Sequence, residues 1–351
     1  MDLHKASDYE VKPTVEEIKQ NHIADLAVQE KYGVRFIQYW INEDSGMVFC
    51  MMEAPDKDAC AAVHQEAHGN MPCNVIELKG GDYETFMGSA SKANQFDIVE
   101  NLDGTFDNGT RTFVSAEVLA SSNISTCFSI IQEAIKNFNG RVVDRHGDRV
   151  TAVFNSATNA VRCSVNMFNE IKKKQRNTEI QIGVDAGHPV DENDGFFETT
   201  LKRANRLCDI AVNARIIVSA STKELAGNLN KENRQPMLRT LTAQEERFLD
   251  RLLDIIEATI GNTDCHIEMI GKNIGMSRAQ LYRKITSLTG MAPNNFLNEL
   301  RLKKALRLLK SKSGNISEIA YEAGFSNPSY FTSMFQKRFN LLPSRYLQSI
   351  T

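Results

Sequence analysis

Two histidines four residues apart, His64 and His68 in the stretch VHQEAHG, project from one face of any helix that carries them. That is the usual spacing of a two-histidine metal clip. Upstream, His22 and Asp25 are three apart and share a face of another helix. Cys50 alternates with Phe49 and Met51 in FCMME, so it points to the same side as Val48 and Met52. Four of the seven histidines fall in the first 68 residues: His4, His22, His64 and His68. Imidazole with thiolate suits nickel, zinc or copper. The same spacing fits exposed polar histidines beside a buried, apolar Cys50, and residue spacing leaves both readings open. On the metal reading, His64 and His68 are the foremost ligands, with His22 and Cys50 next. Asp25 orients an imidazole, and His4 comes last because its strand is the least certain.

These residues need a scaffold. Residues 1–90 read as a strand (1–5), a helix (15–31), two strands (34–42 and 46–53), a second helix (56–67) and a last strand (73–79). That is the ferredoxin-like β-α-β-β-α-β order. The phrases HIADLAVQEKYGVRFIQYW, FCMMEAPDKDA and VHQEAHG resemble a family of small ferredoxin-like domains described as nickel-binding, over residues 1–88. The resemblance implies a divalent transition metal, nickel favoured over zinc or copper. Its matching positions are His22, Asp25, Cys50, His64 and His68.

A second chemistry lies at the other end. Ile267, Ile270 and Ile274 fit a short helix broken by Gly275, and Ser277 can cap the next helix. That helix buries Leu281, Ile285 and Leu288 and shows Arg278, Gln280, Tyr282, Arg283 and Lys284. The plan recurs with Ile316, Ile319 and Ala320, then Gly324, an Asn327 cap and Pro328 at the first helical position. Phe331, Phe335 and Phe339 make the buried face; Ser329, Thr332, Ser333, Gln336 and Lys337 make the exposed one. One long helix, PNNFLNELRLKKALRLLK, joins the two units. Residues 266–351 hold 13 Lys/Arg against 4 Asp/Glu, or +9, on a chain of net −3, so residues 1–265 carry −12. A basic end on an acidic body is the footprint of a phosphate-binding domain, although a basic helical domain docking a protein has the same charge. With its run IAYEAGFSNPSYFTSMFQKRFNLLPSRY, this segment resembles the AraC/XylS-type DNA-binding domain. The resemblance implies double-stranded promoter DNA as partner, read by 278–284 and 327–337, with RNA polymerase as a further partner.

Between the two ends, residues 110–226 alternate strands and helices, with a hairpin turning at 146–148. Phe113–Val118, the Gly147–Asp148 hairpin, Ile182–Gly187 and Arg203–Ala211 resemble the class III nucleotide cyclase catalytic domain. In that family two carboxylates hold metal ions on a triphosphate, a lysine reads the base, and an Asn–Arg pair serves the transition state. Carried over, the carboxylates become Glu117 and Asp148, the base reader becomes Asp144, the Asn becomes Lys202, and Arg206 matches. Asp144 inverts a charge and Lys202 cannot act as an amide. The resemblance therefore implies a degenerate, non-catalytic domain that retains dimerisation.

The expected architecture is multidomain: an α+β ferredoxin-like domain (1–88), an α/β cyclase-like domain (107–226) and an all-α double helix-turn-helix domain (244–351). Segments 88–104 and 227–239, rich in small and polar residues, read as linkers, and the helix around Phe248, Leu252, Ile255 and Ile256 reads as a lever into the last domain. Hydrophobic content of 42% and charged content of 24% are ordinary for a globular protein. No apolar run reaches the ~20 residues of a membrane span, and the polar start MDLHKASDYE is not a signal peptide. Seven cysteines without CxxC spacing fit a reducing cytoplasm. The expected function is a cytoplasmic, dimeric transcription regulator whose promoter binding responds to a metal or small ligand. The rivals are a nucleotide cyclase regulated by metal or DNA, and a metal buffer tethered to DNA.

Overall fold

The computed structural model describes all residues except 6–11, 89–91, 120–122, 213–214, 228, 230–234, 312 and 350–351. It divides into two compact units. One holds Met1–Phe113, Val153–Ala157 and Ala186–Lys202; the other holds Val114–Ala152, Thr158–Asp185 and Arg203–Thr351.

The first unit begins with β1 (Asp2–Lys5), α1 (Val15–Val28), β2 (Arg35–Asn42), β3 (Met47–Glu53), α2 (Lys57–Ala67) and β4 (Asn74–Val75). Thr14 starts α1 with a capping box to Glu17. The helix stops three residues before the expected Lys31, giving way to a 3-10 turn over Gln29–Tyr32 closed by Gly33 at φ 65°. Its inward residues are polar: His22 and Asp25 are the buried ones. Asp56 caps α2. The sheet order is β2-β3-β1-β4, which puts β1 inside, paired antiparallel to β3 with Asp2 opposite Cys50. The expected last strand over 73–79 is cut to two residues. The chain turns at Gly80 and Gly81 (φ 90°) into a short helix, α3 (Asp82–Phe86).

The expected linker at 88–104 is instead folded where it is described. β5 (Lys92–Ala93) pairs with β6 (Val99–Glu100), Ile98 and Val99 are buried, and Ile98 bridges to Tyr39. Asn94 holds the turn by accepting from the Phe96 and Ile98 amides. An apolar pair inside a polar stretch was enough to anchor it.

Next come β7 (Arg111–Leu119), α4 (Ile124–Asn137), β8 (Arg141–His146), β9 (Arg149–Phe154), α5 (Ala157–Lys174), β10 (Glu179–Gly187), α6 (Glu198–Ile210), β11 (Ile216–Val218), α7 (Ala220–Ala226) and β12 (Leu238–Thr240). Their six-stranded sheet has the order β12-β11-β10-β7-β9-β8. In the second linker, Asn228, Asn230 and Asn233 lie outside the described residues. Its end does not act as a linker: Leu238–Thr240 adds a parallel edge strand to β11. Gly183 marks the closest approach of α6 to β10, since a Cβ there would lie 2.2 Å from Ala204 O and 2.3 Å from Cys208 N. Gly183→Ala is expected to cost about 3 kcal/mol, the upper end of overpacking penalties. A chemical-denaturation midpoint equal to wild type would contradict this.

The chain ends with α8 (Ala243–Thr259), α9 (Ile267–Ile274), α10 (Arg278–Thr289), α11 (Pro293–Lys310), α12 (Ile316–Glu322), α13 (Pro328–Phe339) and α14 (Pro343–Ser349). Two apolar clusters flank α11. One gathers α8, α9 and α10 on Phe296, Leu297 and Leu300; the other gathers α12 and α13 on Leu302, Leu306 and Leu309. No described helix is long and apolar enough to cross a membrane.

Candidate metal centre and nucleic-acid interface

On one face of the first sheet, α1 and α2 bring their polar residues together over β1. His64 sits at the middle, 1% exposed. Its Nε2 lies 2.9 Å from Asp2 Oδ2 and its Nδ1 lies 3.0 Å from Asp25 Oδ1. His68 Nε2 is 3.2 Å from the same Asp25 oxygen. His4 packs edge-on against His64, ring centroids 4.6 Å apart, with its Nε2 3.6 Å from Asp2 Oδ1. Among the described residues, two groups therefore have ligand atoms within 4.8 Å of one another: Asp2, His4 and His64, and Asp25, His64 and His68. A cavity of about 30 Å³, room for one ion or one water, is lined by His4, His22, Asp25, Cys50, His64 and His68 among others.

The sequence-predicted residues divide here. His64, His68 and Asp25 converge, and Asp25 does so as a potential ligand rather than only as an orienter. His22 and Cys50 line the cavity but join neither group. His22 Nε2 instead lies 3.1 Å from Asp97 Oδ2. Burial, with Asp2 and Asp25 nearby, pushes the Cys50 thiol well above its usual range, so it is protonated as it stands. Asp2 was missed and His4 was ranked last. The signal was their i, i+2 spacing on a strand that the ferredoxin-like order places inside the sheet.

The donor set fits a divalent transition metal. Among the described residues, both ring nitrogens of His4 and Nδ1 of His22 are buried without a hydrogen-bond partner, which a bound metal ion would supply. Imidazole and carboxylate oxygen together suit nickel or zinc. Without metal, a proton holds the centre. Burial pulls the His64 pKa down, but hydrogen bonds to Asp2 and Asp25 outweigh it and carry it from 6.5 to about 10. A raised folded-state pKa stabilises below the unfolded value and loses that contribution as pH climbs to the folded one. The metal-free protein is therefore expected to lose stability between pH 6.5 and about 10. Metal, which needs the neutral ring, binds more tightly over the same interval. Melting curves in chelator at stepped pH check this, and a slope unchanged in His64→Ala would refute it.

At the other end, both expected capped helices are present. Ser277 and Gln280 form a capping box on α10, and Gly275 at φ 76° closes α9. Asn327 accepts from the Ser329 and Tyr330 amides, with Pro328 in the first turn of α13. Leu281, Ile285, Phe331 and Phe335 are fully buried. Arg278, Gln280, Tyr282, Arg283, Ser329, Ser333, Gln336 and Lys337 are exposed. Three expected contacts sit differently. Lys284 is half-buried with its ammonium 4.8 Å above the Phe248 ring, Thr332 bonds back to Pro328 O, and the Asn327 side chain is used by its cap.

Residues 270–349 match the family model described as a helix-turn-helix domain, and residues 1–78 match the nickel responsive protein SCO4226-like family. The matched segments are 80 residues at the end of the chain and 78 at its start. Over 117 residues it is 37% identical to histidine kinase P4 of Formosa agariphila, covering 33% of this chain and 8% of that one. Over 76 residues it is 34% identical to the transcriptional activator RhaS of Escherichia coli, covering 22% and 27%. A solved transcriptional regulator with an AraC-type DNA-binding domain, from Chromobacterium violaceum, is 30% identical with a TM-score of 0.28, covering 31% of this chain and 97% of that one. The chain spans 8% to 36% of the length of the first curated relatives it matches. The helix-turn-helix match thus runs from within α9 to α14, and the nickel-responsive match spans β1 to β4.

Proposed function

We propose that this chain is a transcription regulator that binds promoter DNA through its AraC-type domain, under the control of a metal held by its first 88 residues. The observation that carries the reading is the pair of capped helices, α10 and α13, whose apolar sides are buried while their polar sides face solvent. An Arg at such a position can bond a guanine edge bidentately, and a Lys can neutralise a phosphate. The domain limits that go with it are 1–88, 107–226 and 244–351. The metal ligands are His64, His68 and Asp25, with Asp2 and His4 added and His22 within reach. Nickel is the metal that the nickel-responsive match supports, and the proposed setting is a cytoplasmic homodimer that meets RNA polymerase at the promoter. Any control of DNA binding by metal is a coupling free energy of about 1–3 kcal/mol, five- to 150-fold in affinity.

The cyclase-like reading of 107–226 stays within this proposal as a non-catalytic module. Asp144 is exposed on β8, and the Glu117, Asp148 and Arg206 side chains are all engaged by charges of the chain itself. The test is DNA footprinting of the purified chain on selected sequences, with nickel and with chelator. Protection that shifts at least fivefold in protein concentration between the two is the expected result. No protected sequence in either condition would overturn the regulator, and identical protection in both would overturn the metal control.

A further inference from the structure

The second unit contains an acidic cluster that has no part in the metal centre or in the DNA-facing surfaces. Glu117 on β7 and Asp209 on α6 both contact Arg149, at 3.0 and 2.6 Å. Asp148 closes the β8–β9 turn, and Glu179 opens β10. Each of these carboxylates meets a cation from the helix-turn-helix segment. Lys303 of α11 is buried, donates to Gln181 Oε1 and to Asp209 O at 2.9 Å, and lies 3.6 Å from Glu117 Oε2. One turn on, Arg307 reaches Asp209 at 3.8 Å, and Lys310 donates to Asp148 at 2.6 Å. Positions 303, 307 and 310 share one face of the helix. From α13, Arg338 donates to Glu179 at 2.9 and 3.0 Å and to Glu299 of α11 at 2.8 Å. The third group left from the cyclase-like set, Arg206, is bound by Asp254 and Glu257 of α8 at 2.6 and 2.5 Å.

We infer that this acidic end of the six-stranded sheet is a docking socket for the DNA-binding part of the same chain, with Lys303 and Lys310 set against Glu117 and Asp148, the two carboxylates at the cyclase-like metal positions, and Arg338 against Glu179 beside them. A lysine as buried as Lys303 must be paired, and the matching carboxylates are here rather than on α11. The charges come from two helices and converge on four separate elements of the sheet domain, so the contact fixes an orientation. Because both helix-turn-helix units pack on α11, the socket also sets the frame from which α10 and α13 project. A ligand for the acidic end has to displace ammonium groups first, which links occupancy of that end to the freedom of α11. This goes beyond the regulator reading and does not depend on it.

A charge-reversal cycle on the full chain, read by hydrogen–deuterium exchange, tests the socket. Lys310 and Asp148 are partly exposed at 18% and 23%, so the variants can fold; circular dichroism checks that they do. Lys310→Glu and Asp148→Lys alone are each expected to speed exchange in 293–310 and 149–154 by about tenfold. Together, Lys310→Glu with Asp148→Lys should return both segments to within about threefold of wild type, the sign of a direct pair. Single variants that exchange like wild type, or a double variant that stays fast, would overturn the socket. If the single variants do not fold, Arg338→Gln with Glu179→Gln carries the same readout, and unchanged exchange there overturns it. Failure of the wild-type chain to bind DNA would sink the regulator reading while leaving this exchange pattern intact.

Discussion

Replacing Arg278, Arg283 and Lys337 together by alanine is expected to abolish sequence-specific DNA binding. Arg278 and Arg283 are exposed on α10, whose opposite side is locked by Leu281 and Ile285, so neither supports the fold. A guanidinium that bonds a base edge is worth roughly 1–3 kcal/mol of discrimination, so two of them give about thirtyfold to twenty-thousandfold. Lys337 on α13 is expected to act on phosphate, and its loss should lower the salt slope by about one for all sequences alike. Binding-site selection on the wild type supplies the target DNA. Titration of the triple variant at physiological salt, beside a non-specific duplex, gives the answer. Affinity within twofold of wild type on the selected site would show that α10 and α13 are not the reading helices.

The second large effect concerns the metal. His64→Ala with His68→Ala removes the centre of both ligand groups at once. Nickel bound per chain should fall from about one to none, and the rise in melting temperature on adding nickel should vanish. At a hundredfold excess over the dissociation constant that rise corresponds to ~2.7 kcal/mol, or on the order of 10 °C for a domain of this size. The double variant should also be less stable than the metal-free wild type, because Asp2 and Asp25 lose their imidazolium partner inside the fold. Retained nickel and a retained shift would place the site elsewhere.

What the sequence displayed and what it concealed divide by range. Ser277, Gly275, Asn327 and Pro328 act within four residues of themselves, so caps, turns and helix limits were legible. The β-α-β-β-α-β order was legible for the same reason, since each element carried its own periodicity. The contribution of Asp2 and His4 depends on β1 lying between β3 and β4, which no local pattern in a four-residue strand declares. Cys50 shows the converse: alternation gave its face correctly, but the chemistry of that face, two carboxylates and deep burial, keeps the thiol protonated. Net charge misled in a similar way. Lys303, Lys310 and Arg338 count toward the +9 of the last 86 residues, yet they are paired inside the protein and add less to the field that DNA meets.

The two exposed helices are joined by an 18-residue α11, which is about 27 Å long. Successive major grooves on one side of a duplex lie ~34 Å apart, and on the proposed reading α10 and α13 would enter two of them. Both faces carry a phenol and an amide, but α10 adds two guanidinium groups, Arg278 and Arg283, where α13 adds the hydroxyls of Ser329 and Ser333 and the ammonium of Lys337. On the proposed reading each chain would recognise a left and a right half that differ from each other, so the sequence it binds would have a direction. Genomic searches for the targets of the proposed homodimer should therefore score two copies of an oriented, non-palindromic word, each spanning about two helical turns, and the orientation of those words relative to the transcription start becomes part of the information they encode.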